Sequence, residues 1–402
     1  MTVRNGLDRL IEDFPEKFKG FRIGLVANTA SVSAKGCLGW DALLDEGFEL
    51  SCIFAPEHGL RLEYQEGVFF DSSRDESSGL EIRSLYDSTK SIDSSKFTDV
   101  DLIVYDLPNV GCRFYTYVNT LVELLQYCHR SSMPIVVLDR PNIIRADIVE
   151  GPIADESIVS PFGPDQVPVR YGMTLGEFAR FHVTRHRLSS RLTVVLMDGY
   201  EREMWFDETD LPFVATSPNL CSPQAMLLYP GTCLFEGTEL SEGRGSDHPF
   251  EIFGAPWLDV EALLSVLEPS DFPGMTLSRQ DFVPTRSKHA GVSCRGIRLQ
   301  VQERDLLRPF SAVLRILFYV RRLHGDADLW IRKKEKGQFF IDLLLCDDYF
   351  RRAIDEGKQP ERMLQAYEGA TEQFARARLE HLAYGRKTRR SVSFGKVRSW
   401  KQ

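Results

Sequence analysis

The chain has 402 residues, of which 43% are hydrophobic and 27% are charged, and it carries a formal net charge of −9. This length and hydrophobic content allow one large core or two moderate ones. The acidic excess argues against nucleic acid as the main partner, and no stretch approaches the ~20 consecutive apolar residues that a membrane-spanning helix needs.

The first half of the chain alternates β-rich apolar runs with helical patterns. Two segments with apolar spacing near 3.6 begin at Tyr117 and Thr174, and Thr174 with Glu177 forms a capping box. Nearly continuous apolar strands separated by helices predict a parallel sheet that is covered on both faces. The predicted strands lie in FRIGLVANT (from Phe21), FELSCIFAPE (from Phe48), DVDLIVYDLP (from Asp99), MPIVVLDRP (from Met133) and RLTVVLMDG (from Arg191).

The sequence changes character from about Tyr229, where a glycine-rich, charged stretch begins. A short strand pattern, GIRLQVQ, and two long helical patterns starting near Pro309 and Glu361 follow it. We therefore predict an α/β protein, with a Rossmann-like parallel-sheet domain over residues 1–245 and a smaller α+β domain over residues 246–402. The second domain ends in a polar, basic tail, GRKTRRSVSFGKVRSWKQ.

The N-terminal sequence and the cysteine pattern both indicate the cellular compartment of the protein. The first 20 residues mix acidic with apolar side chains and lack the hydrophobic segment of a secretory signal peptide. The 8 cysteines include no CxxC pair, and most lie in apolar or mixed runs, as buried free thiols do in a reducing compartment. We therefore expect a cytoplasmic protein.

Polar residues cluster where three of the predicted strands end. In open parallel sheets, ligands bind beyond the carboxyl ends of the strands. Charged residues directly after buried strands are costly unless they are paired or used. A structural Asp139–Arg140 pair and a helix cap at Asp106 explain single residues as well as a ligand site does, but they explain the whole set less well. The residues concerned are Glu57, His58, Asp106, Asn109, Arg113, Asp139, Arg140 and Asn142.

A second polar cluster lies in the glycine-rich stretch that follows Tyr229. Glycines let a loop approach a ligand closely, and acidic side chains there can reach a sugar ring. A solvated acidic loop is the alternative interpretation. The cluster comprises Glu236, Glu239, Glu242, Arg244, Asp247, His248 and Glu251.

The motifs of several other enzyme classes are missing from the sequence. ANTASVSAKG, which follows the first predicted strand, lacks the glycines of a dinucleotide or P-loop site, and the chain has neither HExxH nor GxSxG. The histidines are scattered along the chain. We expect no redox cofactor and no dedicated metal site.

Long motifs, in order along almost the whole chain, carry a resemblance to a known family. The sequence resembles the exo-β-N-acetylmuramidases, peptidoglycan hexosaminidases formerly classed as a domain of unknown function. The matching pieces are FAPEHGLR (from Phe54), GLEIRSLY (from Gly79), VGCRFYTYVNTL (from Val110), VLDRPN (from Val137), VEGP (from Val149), RYGMTLGEFA (from Arg170), SPN (from Ser217), YPGTCLFEGTELSEGRGSDHPFEIFGAPW (from Tyr229) and FVPTRSKHAGVSCRGIRL (from Phe282).

The resemblance implies an active site in the cleft between two domains and no cofactor. It implies release of terminal β-linked N-acetylmuramic acid (MurNAc) from the non-reducing end of peptidoglycan fragments. Glu57 is the expected proton donor, and His58 is expected either to position Glu57 or to hydrogen-bond the sugar. The partner carboxylate is Glu242, Glu236 or Asp139, unless the acetamido group of the substrate is the nucleophile. The expected substrate-binding residues are Asp106, Asn109, Arg113, Tyr115, Asp139, Arg140, Asn142, Asn219, Glu236 and Arg244, the arginines for the lactyl carboxylate.

Two stretches depart from the family pattern. Leu62 and Val68 replace the usual Gly and Glu, and Ile143, Ile144 and Arg145 stand where the family often has Pro and glycines. These departures leave open a β-N-acetylhexosaminidase of other specificity, or a muropeptide-binding protein without turnover. An interaction protein has only the basic tail in its favour, and the sequence does not predict an oligomeric state.

Overall fold

The computed structural model describes residues 2–65, 68, 70–86, 91–333 and 337–385, so the basic tail after residue 385 lies outside the described residues. The strands are β1 (Ile23–Val26), β2 (Leu50–Ala55), β3 (Ser73–Arg74), β4 (Glu81–Ser84), β5 (Leu102–Tyr105), β6 (Ile135–Leu138), β7 (Glu150–Ile153), β8 (Pro168–Arg170), β9 (Leu192–Val195), β10 (Ile252–Ala255), β11 (Met275–Arg279) and β12 (Arg295–Val301). The α-helices are α1 (Gly6–Asp13), α2 (Pro15–Phe18), α3 (Gly39–Asp45), α4 (Thr116–Ser131), α5 (Leu175–Arg185), α6 (Pro223–Thr232), α7 (Val260–Val266), α8 (Pro309–Leu323), α9 (Phe340–Leu345), α10 (Tyr349–Asp355) and α11 (Pro360–Ala377).

The large sheet has the strand order β3-β4-β2-β1-β5-β6-β9. All of its neighbouring strands run parallel except β3, which is antiparallel to β4. When β3 is left out and the six parallel strands are renumbered in chain order, their order in the sheet is 3-2-1-4-5-6, as in Rossmann folds. This confirms the predicted fold, and each of the five predicted strands is present. Strand β4 was not predicted from the sequence. Its residues are alternately half-buried and buried, so they form no continuous apolar run.

The second half of the chain forms the smaller α+β unit that the sequence predicts. Its sheet has the order β10-β12-β11 and is antiparallel, and helices α6 and α8 pack against each other beside it. Strand β12 and helices α8 and α11 coincide with the predicted elements. Helix α5 begins after Thr174, whose side chain accepts a hydrogen bond from Glu177 N, so the capping box is also confirmed.

One hydrophobic core joins the two halves. It runs from one face of the large sheet, through Phe114, to Phe235 and Phe310 of the second half, while a separate core around Trp40 covers the opposite face. The chain also returns to the first half near its end, where Tyr384 Oη donates to Asp139 Oδ2 at 2.6 Å. The shared core holds the carboxyl ends of β2 and β4 against the second half. The division at residue 245 stays a prediction.

Among the described residues, no helix is both long enough and apolar enough to span a bilayer.

Candidate active site

A cavity of about 750 Å³ lies at the carboxyl ends of β2 and β4, bounded by the start of α4 and by the second half of the chain. Ligand-binding cavities usually measure roughly 300–1,000 Å³, so this one can hold a small saccharide. Its polar lining includes Glu57, His58, Ser84, Tyr86, Tyr115, Asn119, Thr120, Glu123, Ser160, Ser217, Asn219, Tyr229, Glu236, Arg244, Lys333 and Gln338. Of the predicted residues, the structure thus brings together Glu57, His58, Tyr115, Asn219, Glu236 and Arg244.

A tight turn after β2 holds Glu57 at the cavity wall. Gly59 N donates to the carbonyl of Pro56 at 3.1 Å, and both His58 and Gly59 have positive φ, at 75° and 79°. A Cβ on Gly59 would lie 2.7 Å from the ring of Tyr64, so this position requires glycine. His58 Nδ1 lies 3.0 Å from the carbonyl oxygen of Tyr64. Because a carbonyl only accepts, Nδ1 carries the proton and the ring braces the loop behind Glu57.

Three tyrosines surround the carboxylate of Glu57. Burial raises the pKa of Tyr86, Tyr115 and Tyr117, and the negative charge of Glu57 adds to each shift. Tyr115 and Tyr117 both donate to the carbonyl of Thr216, at 2.8 and 3.1 Å. The phenols therefore stay protonated, and Tyr115 presents a fixed aromatic ring to the cavity.

Arg244 lies between two glutamates and binds both of them. Its Nη2 is 3.2 Å from Glu236 Oε1 and its Nη1 is 3.0 Å from Glu242 Oε1, while the guanidinium stacks on Phe250 with 4.9 Å between Cζ and the ring centroid. Glu242 Oε2 also lies 2.8 Å from Lys288 Nζ. These four charged side chains, from Glu236 through Arg244 and Glu242 to Lys288, are thus one linked network with Glu236 at its cavity end.

The pKa values of the two glutamates are shifted in opposite directions. Burial alone would raise the pKa of Glu242, but Lys288 and Arg244 lower it to about 2. Burial raises the pKa of Glu236, and Arg244 only partly offsets this. Glu242 is therefore ionised and has a structural role. Its side chain is 1% exposed and lies outside the cavity lining. Glu236 is the member of the pair that lines the cavity.

The structure places Asp106 and Arg140 in a buried ion pair. Arg140 Nε and Nη2 donate to the two carboxylate oxygens of Asp106 at 2.7 and 2.8 Å, and Arg140 Nη1 donates to the carbonyl of Val32 at 2.8 Å. Arg140 thus reaches from the end of β6 across Asp106, at the end of β5, to the loop after β1, beside the crevice where Rossmann folds usually bind ligands. Neither side chain lines the large cavity.

Asp139 is likewise buried in contacts with the protein. It accepts hydrogen bonds from Thr174 Oγ1 at 2.7 Å, Gly176 N at 2.8 Å and Tyr384 Oη at 2.6 Å. Burial raises its pKa to about 6, despite these hydrogen bonds. It joins α5 and the chain end to the sheet, and it lies outside the cavity lining.

Asn109, Asn142 and Arg113 also lie outside the cavity. Asn142 Nδ2 donates to the carbonyl of Met173 at 2.7 Å, and Asn109 Nδ2 donates to Asn142 Oδ1 at 3.2 Å. Arg113 donates to the carbonyls of Phe162 and Leu345, both at 2.8 Å. The sequence predicted that these three side chains bind the substrate. In the structure they instead connect loops of the protein.

The cavity includes residues that the sequence analysis did not select. Asn119 Nδ2 donates to Glu123 Oε1 at 2.8 Å, and burial raises the pKa of Glu123. Lys333 Nζ lies 3.7 Å from the ring centroid of Phe340. The spacing of Asn119 and Glu123, four residues apart on the polar face of α4, is a sequence signal that could have selected them. No sequence signal points to Lys333, because it lies in a charged loop remote in sequence from the other site residues.

Comparison with known proteins identifies the relatives of this chain. Two sequence models described as Exo-beta-N-acetylmuramidase NamZ match it, the N-terminal model over residues 23–224 and the C-terminal model over residues 227–384. The chain belongs to the NamZ family. A member named peptidoglycan beta-N-acetylmuramidase NamZ, from Bacillus subtilis, is 36% identical over 386 residues, which cover 95% of this chain and 91% of that protein.

Two solved structures share the fold of this NamZ family member. Both are DUF1343 family proteins from Bacteroides fragilis. One has a TM-score of 0.86 at 24% identity and covers 95% of this chain and 99% of its own. The other has a TM-score of 0.76 at 28% identity and covers 96% and 99%. The two sequence models and the Bacillus subtilis relative confirm the resemblance to the muramidase family over nearly the whole chain, and the two solved structures confirm the fold.

The departures from the NamZ pattern fall on different surfaces. Val68 lines the cavity and is 45% exposed, whereas Leu62 is absent from the described lining. Ile143 and Ile144 are buried, and Arg145 forms ion pairs with Asp147 and Asp305. Of these positions, Val68 is therefore the one that can contact a ligand in the described cavity.

Proposed function

We propose that this protein is an exo-acting glycoside hydrolase that releases terminal β-linked MurNAc from the non-reducing end of peptidoglycan fragments such as MurNAc-GlcNAc. Its role would be in the turnover and recycling of the cell wall. The observation that carries the proposal is the position of Glu57. A carboxyl group held on the wall of a saccharide-sized cavity has the chemistry for glycoside cleavage, in a chain that belongs to the NamZ family.

Glu57 is the proposed general acid. Breaking a β-glycosidic bond requires a proton on the leaving oxygen while positive charge develops at the anomeric carbon. The turn at Pro56 and Gly59, braced by His58, fixes Glu57 at the cavity wall before the substrate arrives. Such positioning reduces the reorganisation needed in the transition state. His58 is a positioning residue in this scheme.

Glu236 is the proposed second carboxyl group. Of the three candidates from sequence, Glu242 and Asp139 are buried in contacts with the protein, whereas Glu236 lines the cavity. Its position on the cavity wall allows it to accept a hydrogen bond from the acetamido N–H of the substrate. In that role, it orients the acetamido oxygen for attack on the anomeric carbon, and Glu57 protonates the leaving oxygen. Tyr115 and Tyr229 offer aromatic faces to the sugar.

A cation is needed for the lactyl carboxylate, which distinguishes MurNAc from N-acetylglucosamine. Arg113 and Arg140 lie outside the cavity, and the charge of Arg244 is balanced by two glutamates. Lys333 lines the cavity, and none of the ion pairs among the described residues includes it. We assign recognition of the lactyl carboxylate to Lys333, with Arg244 completing the polar wall.

The cytoplasm is the proposed compartment. All eight cysteines are free thiols, and six of them are buried, which fits a reducing environment. Immunoblotting of fractionated cells tests this location, and recovery of the protein outside the cytoplasm would contradict it.

The decisive experiment is hydrolysis of 4-nitrophenyl β-N-acetylmuramide beside the matching β-N-acetylglucosaminide. We expect release from the muramide, and loss of that release in Glu57→Gln. Glu63→Gln is the matched control, because Glu63 lies in the same loop, is exposed and is absent from the described cavity lining. Release from the glucosaminide alone would favour the other β-N-acetylhexosaminidase specificity. Disaccharide binding without release from either substrate would favour a muropeptide-binding protein.

A further inference from the structure

Three side chains far apart in sequence meet beside α5. Asp165 lies in the segment before β8, His182 lies within α5, and His186 caps the end of that helix. His182 Nδ1 is 2.7 Å from Asp165 Oδ2, and His186 Nε2 is 3.2 Å from Asp165 Oδ1. Each residue offers one ligand atom, and these atoms all lie within 4.8 Å of one another. The cluster lies outside the described cavity lining.

The donor set has the composition of a transition-metal site. Two imidazoles and one carboxylate are ligands that Zn²⁺ takes, with water completing a tetrahedral shell. Histidines four residues apart at the end of α5 share one helix face. The side chain of His186 is 40% exposed, so the site is open to an ion and to a water ligand, whereas those of Asp165 and His182 are buried at 0% and 1%.

One ring nitrogen of the buried His182 has no hydrogen-bond partner among the described residues. Within the described chain, His182 Nε2 is buried without a hydrogen-bond partner, so Asp165 is the single polar contact of this imidazole. The ring is held by apolar packing, with its centroid 6.2 Å from that of Phe178. It is also 4.4 Å from the ring of His186. The two rings are therefore held side by side, with nitrogen atoms directed at one carboxylate.

Arg185 is the charged group that competes for this site. Its Nε lies 3.4 Å from Asp165 Oδ1, and its guanidinium also contacts Gln166. The side chain is 37% exposed, so it can turn towards solvent when a cation enters. The two histidines, by contrast, are held on a helix.

We propose that Asp165, His182 and His186 bind a divalent transition-metal ion, with Zn²⁺ as the preferred ion. The site joins α5 to the segment before β8. Three residues before Asp165, that segment reaches Phe162, which lines the cavity together with Val159, Ser160 and Pro161. A bound ion would therefore anchor one wall of the cavity to the sheet. This proposal is independent of the reaction assigned to Glu57.

Calorimetric titration of the chelator-treated full chain with ZnCl₂ tests the proposal. We expect one Zn²⁺ per chain, a higher melting temperature with zinc, and at least about ten-fold weaker binding in His186→Ala. His129→Ala is the control, since His129 lies on α4 and contacts Ser189, outside the proposed metal site. Because His186 is partly exposed, its variant should fold, whereas Asp165→Asn carries a greater risk of unfolding.

A second readout uses Co²⁺ in place of Zn²⁺. A tetrahedral site with two imidazoles gives a visible absorption band, which we expect in the unmodified protein and in His129→Ala but not in His186→Ala. Absence of saturable zinc binding would overturn the proposal. So would zinc binding unchanged by His186→Ala, since it would place the ion on other groups such as the exposed Cys37 and Cys221.

Discussion

Arg140 and Asp106 form a two-point ion pair across the ends of β5 and β6, with Nε–Oδ1 and Nη2–Oδ2 distances of 2.7 and 2.8 Å. Both side chains are buried, at 7% and 0% exposure. The pair lies beside the crevice in which open α/β sheets commonly bind ligands. The large cavity lies instead at the ends of β2 and β4, where the second half of the chain completes it.

Breaking this pair should destabilise the protein strongly. Arg140→Ala leaves the carboxylate of Asp106 buried without its partner, and we expect a loss of about 3–5 kcal/mol in the free energy of unfolding. Urea denaturation measures the loss. Arg22→Ala is the control, because the Arg22–Asp101 pair has the same two-point geometry but is exposed, and its loss should cost at most about 1 kcal/mol. Unchanged stability with a raised KM in Arg140→Ala would instead indicate contact with substrate.

The two glutamates bound to Arg244 should respond differently to the same substitution. Glu236→Gln keeps the shape of the cavity, so we expect a change in stability within about 1 kcal/mol and a kcat at least about 100-fold lower. Glu242→Gln leaves Lys288 and Arg244 with unbalanced charge, so we expect a loss of about 3 kcal/mol or more. Parallel kinetic and denaturation measurements separate the roles. Full activity in Glu236→Gln would rule it out as the second carboxyl group.

Lys333 should set the preference for an acidic sugar. Removing its ammonium group in Lys333→Ala should raise KM for the muramide about ten-fold or more, because hydrogen bonds to charged groups contribute about 1.5–3 kcal/mol. KM for a neutral N-acetylglucosaminide, if it is cleaved, should not change. Lys358→Ala is the control, since Lys358 also stacks on an aromatic ring, that of Tyr349, but is absent from the described cavity lining. Equal effects on both substrates would contradict the assignment.

Asp139 should make the stability depend on pH. Its folded pKa of about 6 is raised from an ordinary value of 3.8, so the protonated form is favoured in the folded protein. The resulting contribution to stability is fully present below pH 3.8 and is lost as the pH rises through about 6. The stability of the native protein relative to Asp139→Asn should therefore fall over this interval. Urea denaturation of both proteins at pH 4, 5, 6 and 7 gives the difference, and parallel curves would contradict the prediction.

The sequence by itself determined the local elements and the approximate place of Glu57. Apolar periodicity located five strands of the large sheet, β12 and four of the helices, because burial on one or two faces leaves a direct pattern in the chain. Glu57 was selected because it follows a buried strand, and the structure places it on the cavity wall. The half-buried strand β4 left no such pattern.

Only the tertiary structure decided which polar residues face the cavity. The strand ends that carry Glu57, Asp106 and Asp139 look alike in sequence, yet Arg140 covers Asp106 and Tyr384 covers Asp139. Lys333 and the Asp165–His182–His186 cluster depend in the same way on contacts between distant segments. The physical reason is that a buried charge requires a partner, and that partner can come from any segment that the fold brings close.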